Sequence, residues 1–496
     1  LLAKTLLAKI LPGEVLAVTA LTVLGLRTMV DWLGSIASPT TWDYGPAQLA
    51  VHVAMFADGA PLYRDFRTPP FNPLVYGPIV PIMTAKLAAM FGSGPMAELE
   101  AGRLLTIAST IVTCAMIFVL ARRASVSTSA AIVASLSFVL SPIVLRWGFE
   151  YRVDMPALAC ELAGIAAFTA GSSSAAVALF VISFFIKQGS VVGIATVVLF
   201  CWMSGQRRRA ISAGLAWLAA IVAGTALLSM VYPSYLLNTI GAVRTTGLDF
   251  SAPPMFLSVL IGGNLGITIF AVLAFTRRRM SDPLIICLLI VASIHDVASC
   301  LRWGSNAYYF LPTLAALAIV ASAGIDLAFE RMRAMNNIAQ LACGAAMAML
   351  LASGLILAPR SITMPRTMPR TMPRTIGDSW DPRALEQLHA IDGPIMTDAA
   401  ELNLVDARPN LQWVDLMVLA SMQEVGTFDD RALVDDIQHR RVAAFALDEE
   451  GLVRNFRGRP LFWPRLRRAI EANYIAVPRV GPPIVMIPSA PSQSGR

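Results

Sequence analysis

Trp42-Asp43-Tyr44-Gly45 follows a first apolar span, residues 11 to 33, and leads into Asp58-Gly59-Ala60-Pro61-Leu62-Tyr63-Arg64-Asp65 and Pro69-Pro70-Phe71. A span that ends in a charged, aromatic, proline-rich loop describes a membrane protein with polar chemistry held at the membrane surface. A carboxylate in such a place is read as functional.

The remainder of the chain supplies the context. Of its 496 residues 56% are hydrophobic and 14% charged, against about 25% charged in a soluble domain, and the mean hydropathy is +0.64. Residues 1 to about 358 run as one apolar span after another, whereas residues 376 to 496 have the mixed composition of a water-soluble domain. The expected fold class is therefore an α-helical polytopic membrane protein with a small C-terminal α/β aqueous domain. The net charge of +7 lies in short arginine clusters beside spans, which is how membrane proteins are oriented, and no nucleic-acid-binding motif accompanies it. Nucleic acid is excluded as a partner. Cys114, Cys160, Cys201, Cys287, Cys300 and Cys343 all fall within or at the ends of spans, so no disulfide framework or zinc site is read. No cleavable signal is read either; the first span serves as anchor.

A span needs about 20 apolar residues. Eleven stretches qualify: 11–33, 103–121, 128–146, 155–171, 174–187, 189–205, 210–231, 254–276, 282–301, 308–327 and 337–358. The segment 73–91 contains Pro73, Pro78, Pro81 and Lys86 and reads as a surface or re-entrant helix. With eleven crossings, Lys4, Lys9, Arg122-Arg123, Arg207-Arg208-Arg209, Arg277-Arg278-Arg279, Arg331 and Arg333 share one side, which the positive-inside rule makes cytoplasmic. The Asp43 loop (34–102), the 147–154 loop, the Lys187 turn, the 232–253 loop, the Arg302 to Tyr308 loop and the C-terminal domain then share the outer face.

Residues 359–375 link the two modules through Thr-Met-Pro-Arg repeated three times from Thr363, an extended spacer because proline at every fourth position forbids a helix. Beyond it, helical stretches Pro382 to Ala390 and Asp430 to His439 alternate with strand-like runs at Ile395-Met396-Thr397 and Val442 to Leu447. Asp398 and Glu401 are read as turn residues, and His389 and His439 as surface residues. The spacer implies an accessory domain, separable from donor chemistry.

Four polar groups converge on the outer face: Asp43 with Asp58, Arg64, Asp65 and Arg67; Arg146 to Pro156, with Glu150, Arg152 and Asp154 at alternate positions; Lys187-Gln188; and Arg302-Trp303 with Tyr308-Tyr309. Singly, each suits an interfacial anchor. Together they suit a reaction with a lipid-borne anion, in which a basic residue such as Lys187 or Arg302 holds a phosphate and a carboxylate takes a proton from an attacking hydroxyl or amine. Sugar transfer from a polyprenyl phosphate needs these components, since its leaving group is already a stabilised anion.

Residues 43 to 78 resemble the first outer loop of the GT-C superfamily of membrane glycosyltransferases, in the branch holding the protein O-mannosyltransferases and the lipid A aminoarabinose transferase. The similarity continues through Gly102-Arg103-Leu104-Leu105, Arg122-Arg123 and Ser141-Pro142 to the Glu150 to Asp154 loop, and thins after Lys187-Gln188. The resemblance implies a polyprenyl-phosphate-linked sugar as donor, Asp43 as catalytic base, and Asp154 or Glu150 as a second acid sharing the site. Tyr44 stands where many members have a second acid, and Thr68 where many have His.

The resulting expectation is an inverting glycosyltransferase of the bacterial inner membrane, working at its periplasmic face, with Arg152, Lys187 and Arg302 at the donor phosphate and a lipid, glycan or protein as acceptor. It requires no cofactor and admits a divalent Mg or Mn ion. The alternative is a transporter of a lipid-linked or small polar substrate, which calls for charges near the bilayer midplane and related halves. Here the charges sit at span ends. A scaffold presenting the 376–496 domain would leave the charged 34–72 loop without a purpose.

Overall fold

The computed structural model describes residues 12–41, 43–244, 247–355, 380–448, 450–456, 458–478 and 482–489. The 359–375 linker with its repeat, together with Lys4, Lys9 and Trp42, lies outside them. The chain folds as two compact units, one made of Leu1–Ile36, Arg103–Thr225 and Leu248–Thr363, the other of Ala37–Gly102, Ala226–Gly247 and Met364–Arg496.

The first unit is a helix bundle. A helix occupies each of the eleven apolar stretches, and these helices differ in length and continuity. Among the described residues five segments are long and apolar enough to cross a membrane: Pro12–Gly34, Pro95–Arg123, Arg207–Val231, Pro283–Cys300 and Ala307–Met332. A sixth is counted if Ala252–Gly263 and Leu265–Thr276, bent by 85°, are one span. The bend falls at Asn264, whose side chain donates to the carbonyl of Leu260. The stretch 128–146 breaks where Ser141 caps Pro142–Trp147 with Pro142 in its first turn, since proline starts a helix and cannot continue one. Asp154–Thr169, Ser173–Ile186 and Val192–Met203 have 16, 14 and 12 residues, so they reach roughly 18–24 Å against an apolar thickness of about 30 Å.

Glycines set the closest helix approaches. A Cβ on Gly13 or Gly344 would collide with the backbone of Gln340 or Gly13 respectively, and one on Gly324 with the backbone of Phe270; small residues there let helices pack backbone to backbone. The apolar window of Ala307–Met332 is 83% buried and that of Arg207–Val231 only 11%. The former is the bundle's core and the latter its rim, exposing Leu215, Leu218, Val222, Leu227 and Met230.

The arginine clusters gather at one end of this bundle. Arg279 pairs with Glu330 at 2.6 Å and Arg123 with Asp282 at 3.9 Å, and Asp326 accepts from the Ser127 amide. Tyr308 and Tyr309 precede Leu311–Met332, while Arg331 and Arg333 close it. The 22 residues of that helix separate the two ends by about 33 Å.

The second unit is built on a five-stranded sheet of β1 (Ile395–Thr397), β2 (Leu411–Trp413), β3 (Ala444–Leu447), β6 (Tyr474–Ala476) and β7 (Ile484–Pro488), in the order β2-β1-β3-β7-β6. β2, β1 and β3 pair in parallel, and β7 runs antiparallel to both β3 and β6; β4 (Asn455–Phe456) and β5 (Arg459–Pro460) form a separate hairpin. The sequence reading treats residues 34–102 as a loop of the membrane module. In the structure, Phe66 and Phe71 are buried in the same core as Met396, Leu419, Ile437, Phe445 and Ile470. Phe71 adopts a left-handed backbone conformation, φ 58°, costing on the order of 1–3 kcal/mol, which burial of its ring offsets. Polar contacts follow the apolar ones: Gln48 donates to Asp415 at 2.8 Å and Asn72 to the Trp413 carbonyl at 3.1 Å. The segment 73–91 contributes only the ten-residue helix Ile79–Ala88, too short to cross.

Candidate active site

In the first unit, Asp154 opens helix Asp154–Thr169 and Lys187 caps the C-terminus of Ser173–Ile186. These charges suit the dipoles of their helix ends. The helices pack as a hairpin whose turn is Gly171 at φ 90°, with Gly164 leaving room for the Phe180 ring and Ser183 donating to the Ala157 carbonyl. The start of one helix and the end of the next therefore coincide. Lys187 Nζ lies 2.7 Å from Asp154 Oδ1 and Arg152 Nε 3.1 Å from Asp154 Oδ2.

Aromatic rings enclose this trio. The turn Ala307–Phe310 is opened by Asn306, whose side chain accepts from the Ala307 amide, and it delivers Tyr308 and Tyr309. The Arg152 guanidinium carbon stands 3.8 Å above the Tyr308 ring and Lys187 Nζ 4.6 Å from that of Tyr309. Trp147 meets Tyr308 edge-on at 5.1 Å. Arg152 is buried by this stacking, whereas the Lys187 side chain keeps 21% of its surface exposed. Two cations share the Asp154 carboxylate, and one of them, Lys187, borders exposed surface.

Glu150 lies on the same segment, four residues before Asp154. Its carboxylate faces Arg103 at 3.7 Å, both side chains 1% exposed, and Arg103 also donates to the carbonyls of Ser35 and Ile36. Arg302 is exposed; its backbone bridges Leu248, and among the described residues its guanidinium has no ion pair. Of the fourth polar group, the tyrosines reach the trio.

In the second unit, Asp43 is the N-cap of helix Tyr44–Ala57, buried, with Oδ1 accepting from the Gly45 amide at 3.0 Å. Helix Leu402–Val405 packs against this helix, and the preceding Glu401 is buried. Burial pushes the Glu401 carboxyl up to about 7; its own backbone N–H and Arg454 oppose the shift, and Asp448 and Asp43 add to it. Arg454 binds Asp398 at 2.8 Å and Asp448 at 3.3 Å, so Asp398 is a structural ion-pair partner. A cavity of about 300 Å³ opens nearby, lined by Asp58, Arg64, Asn72, Asn403, Arg408 and Trp413. Among the described residues no three His, Cys, Asp or Glu side chains are grouped as metal ligands.

ArnT from Cupriavidus metallidurans, solved bound to undecaprenyl phosphate, is similar over 96% of this chain and 99% of its own, with 16% identity and a TM-score of 0.62. The oligosaccharyltransferase AglB from Archaeoglobus fulgidus, solved with an inhibitory peptide and a dolichol-phosphate, matches 97% of this chain and 75% of its own, with 10% identity and a TM-score of 0.54. The chain has the GT-C fold. No family model and no curated protein matches it by sequence.

Within the GT-C fold, the sequence reading overlooked a polar group inside the bundle. His295 and Asp296 interrupt the apolar run of Pro283–Cys300, and Glu161 lies buried in Asp154–Thr169. Ionisable residues within apolar spans were the signal available for finding them.

Proposed function

We propose that this chain is a membrane glycosyltransferase that moves a sugar from a polyprenyl phosphate to an envelope acceptor, a lipid, glycan or protein, at the periplasmic face of the bacterial inner membrane. The observation that carries the reading is the trio in which Arg152 and Lys187 share Asp154 beneath Tyr308 and Tyr309. Its two cations, already held in place by Asp154 and the rings, are of the kind that binds a phosphate. The arginine clusters at the other end of the same bundle support an outward-facing site. The GT-C fold, seen with undecaprenyl phosphate in ArnT, supports the donor class.

Roles divide by chemistry. The acceptor's hydroxyl or amine attacks the anomeric carbon as the bond from that carbon to the phosphate oxygen breaks, inverting its configuration. Polyprenyl phosphate leaves with the bonding pair, and Asp43 takes the acceptor's proton as general base. Lys187 and Arg302 hold the phosphate; Arg152, clamped on Tyr308, fixes Asp154, which aims Lys187. Glu150 keeps a structural role with Arg103.

Purified protein supplied with polyprenyl-phosphate sugars should consume at least one of them, and a deletion strain should accumulate that donor while losing one envelope glycan. An unchanged pool of polyprenyl-linked sugars and envelope glycans in the deletion strain would refute the proposal.

A further inference from the structure

We infer that His295 and Asp296 form a positioning pair that sets the Lys187 turn for its phosphate; the inference rests on the glycosyl-transfer reading and assigns two residues to that same site. The contacts run in a line. His295 Nε2 is 2.7 Å from the carbonyl oxygen of Gly189, two residues beyond Lys187. A carbonyl only accepts, so Nε2 carries a hydrogen and donates it. His295 Nδ1 faces Asp296 Oδ1 at 2.9 Å, so a second proton is shared between ring and carboxyl, and this bond fixes the ring's orientation. Asp296 is fully buried, and its other oxygen accepts from the Thr313 amide at 2.9 Å and hydroxyl at 2.7 Å. Thr313 stands four residues beyond Tyr309.

The pair thus ties the backbone behind Lys187 to the helix that begins just after the tyrosines. Lys187 and Tyr309, 4.6 Å apart, are the two side chains this strut relates. The turn has a second support where the Gly193 amide donates to Glu161 at 3.2 Å, and it closes on itself through Ser190 N to Lys187 O at 2.8 Å. A simple packing role for His295 would require neither a bond to that turn nor a carboxylate behind the ring, and burying the Asp296 carboxyl in an apolar helix is costly.

The test is a cycle in the full-length protein. His295→Ala should lower donor turnover by up to about 10²-fold, the loss that a misplacement near 1 Å brings, but should cost little more in a Lys187→Ala background. His295→Gln, whose amide can still donate to Gly189, should restore most of the loss, and Asp296→Asn should fall between. Equal losses from His295→Ala in both backgrounds would overturn the inference and leave the pair a packing element. A second readout is independent of the reaction: the rate at which an amine reagent labels Lys187, mapped by peptide mass, should rise in His295→Ala and not in His295→Gln. An unchanged rate overturns the inference too. If wild-type protein neither turns over a polyprenyl-phosphate sugar nor binds a fluorescent C55 polyprenyl monophosphate, the glycosyl-transfer reading fails, and the labelling result still decides whether the pair positions Lys187.

Discussion

Asp154 and Lys187 stand 33 residues apart in sequence and 2.7 Å apart in space. A helical hairpin turned at Gly171 brings them together, and Arg152 holds the second oxygen of the same carboxylate. Asp154 is thereby fixed by two cations, and Lys187 is aimed from beneath. Under the proposed function, a phosphate arriving at this place would meet charge that is already oriented, so little reorganisation would accompany its binding.

Lys187→Ala and Arg302→Ala should each lower single-turnover donor cleavage, Lys187→Ala by about 10²–10³-fold, with normal membrane insertion. Arg277→Ala, at the arginine-rich end of the bundle, should leave turnover near wild type. Stopped-flow or quenched assays of purified variants with a common donor measure all three. Equal behaviour would reduce Lys187 and Arg302 to membrane anchors.

Phe71 joins residues 37–102 to the C-terminal sheet, packing edge-on against Phe428 at 6.5 Å. Phe71→Ala should cost about 3–5 kcal/mol and make the 58–72 loop sensitive to limited proteolysis. Deleting residues beyond 376 should do the same and abolish turnover, because the loop that carries Asp43 would lose its core. A truncation that cleaved donor normally would show that loop and sheet are independent.

The burial of Phe66 and Phe71 in the core of the C-terminal sheet departs from the sequence reading, and the reason is physical. Phe66 and Phe71 in a proline-rich loop look like interfacial residues, since a sequence does not show which core a lone aromatic enters. Lys187, Asp154 and the tyrosines were legible because charges and rings at span ends are conspicuous against apolar runs. The segment 148–153, which carries Glu150 and Arg152, is a series of bends and not a strand, and Glu150 faces Arg103. The breaks at Asn264 and Pro142 were not legible, because composition alone reads those stretches as continuous.

Glu401 predicts a pH dependence of stability. Its carboxyl is pushed up from 4.5 to about 7 in the folded protein, chiefly by burial. Below about pH 4.5 both states hold the proton; between there and 7 the unfolded chain releases it first. The group's contribution is therefore complete at low pH and is lost as pH rises through 7. Glu401→Gln, neutral throughout, should be more stable than wild type at pH 8, by on the order of 3 kcal/mol at most, with the gap closing toward pH 4.5. Thermal unfolding of both proteins in detergent across that range measures it, and parallel curves would show that Glu401 ionises freely.

The most direct test of the central claim is single-turnover transfer by Asp43→Asn beside binding of a labelled donor. Asparagine caps a helix as well as aspartate does, so the bond to Gly45 and helix Tyr44–Ala57 should survive while the proton acceptor is lost. Asp43→Ala would confuse the two by removing the cap. Transfer by Asp43→Asn should fall by about 10²–10⁴-fold, with donor binding retained because the carboxylate does not hold the phosphate. Asp65→Asn, whose partner is the exposed Arg67, and Asp58→Asn should be much milder. Wild-type transfer by Asp43→Asn, or equal losses at all three positions, would contradict the assignment of Asp43 as the base.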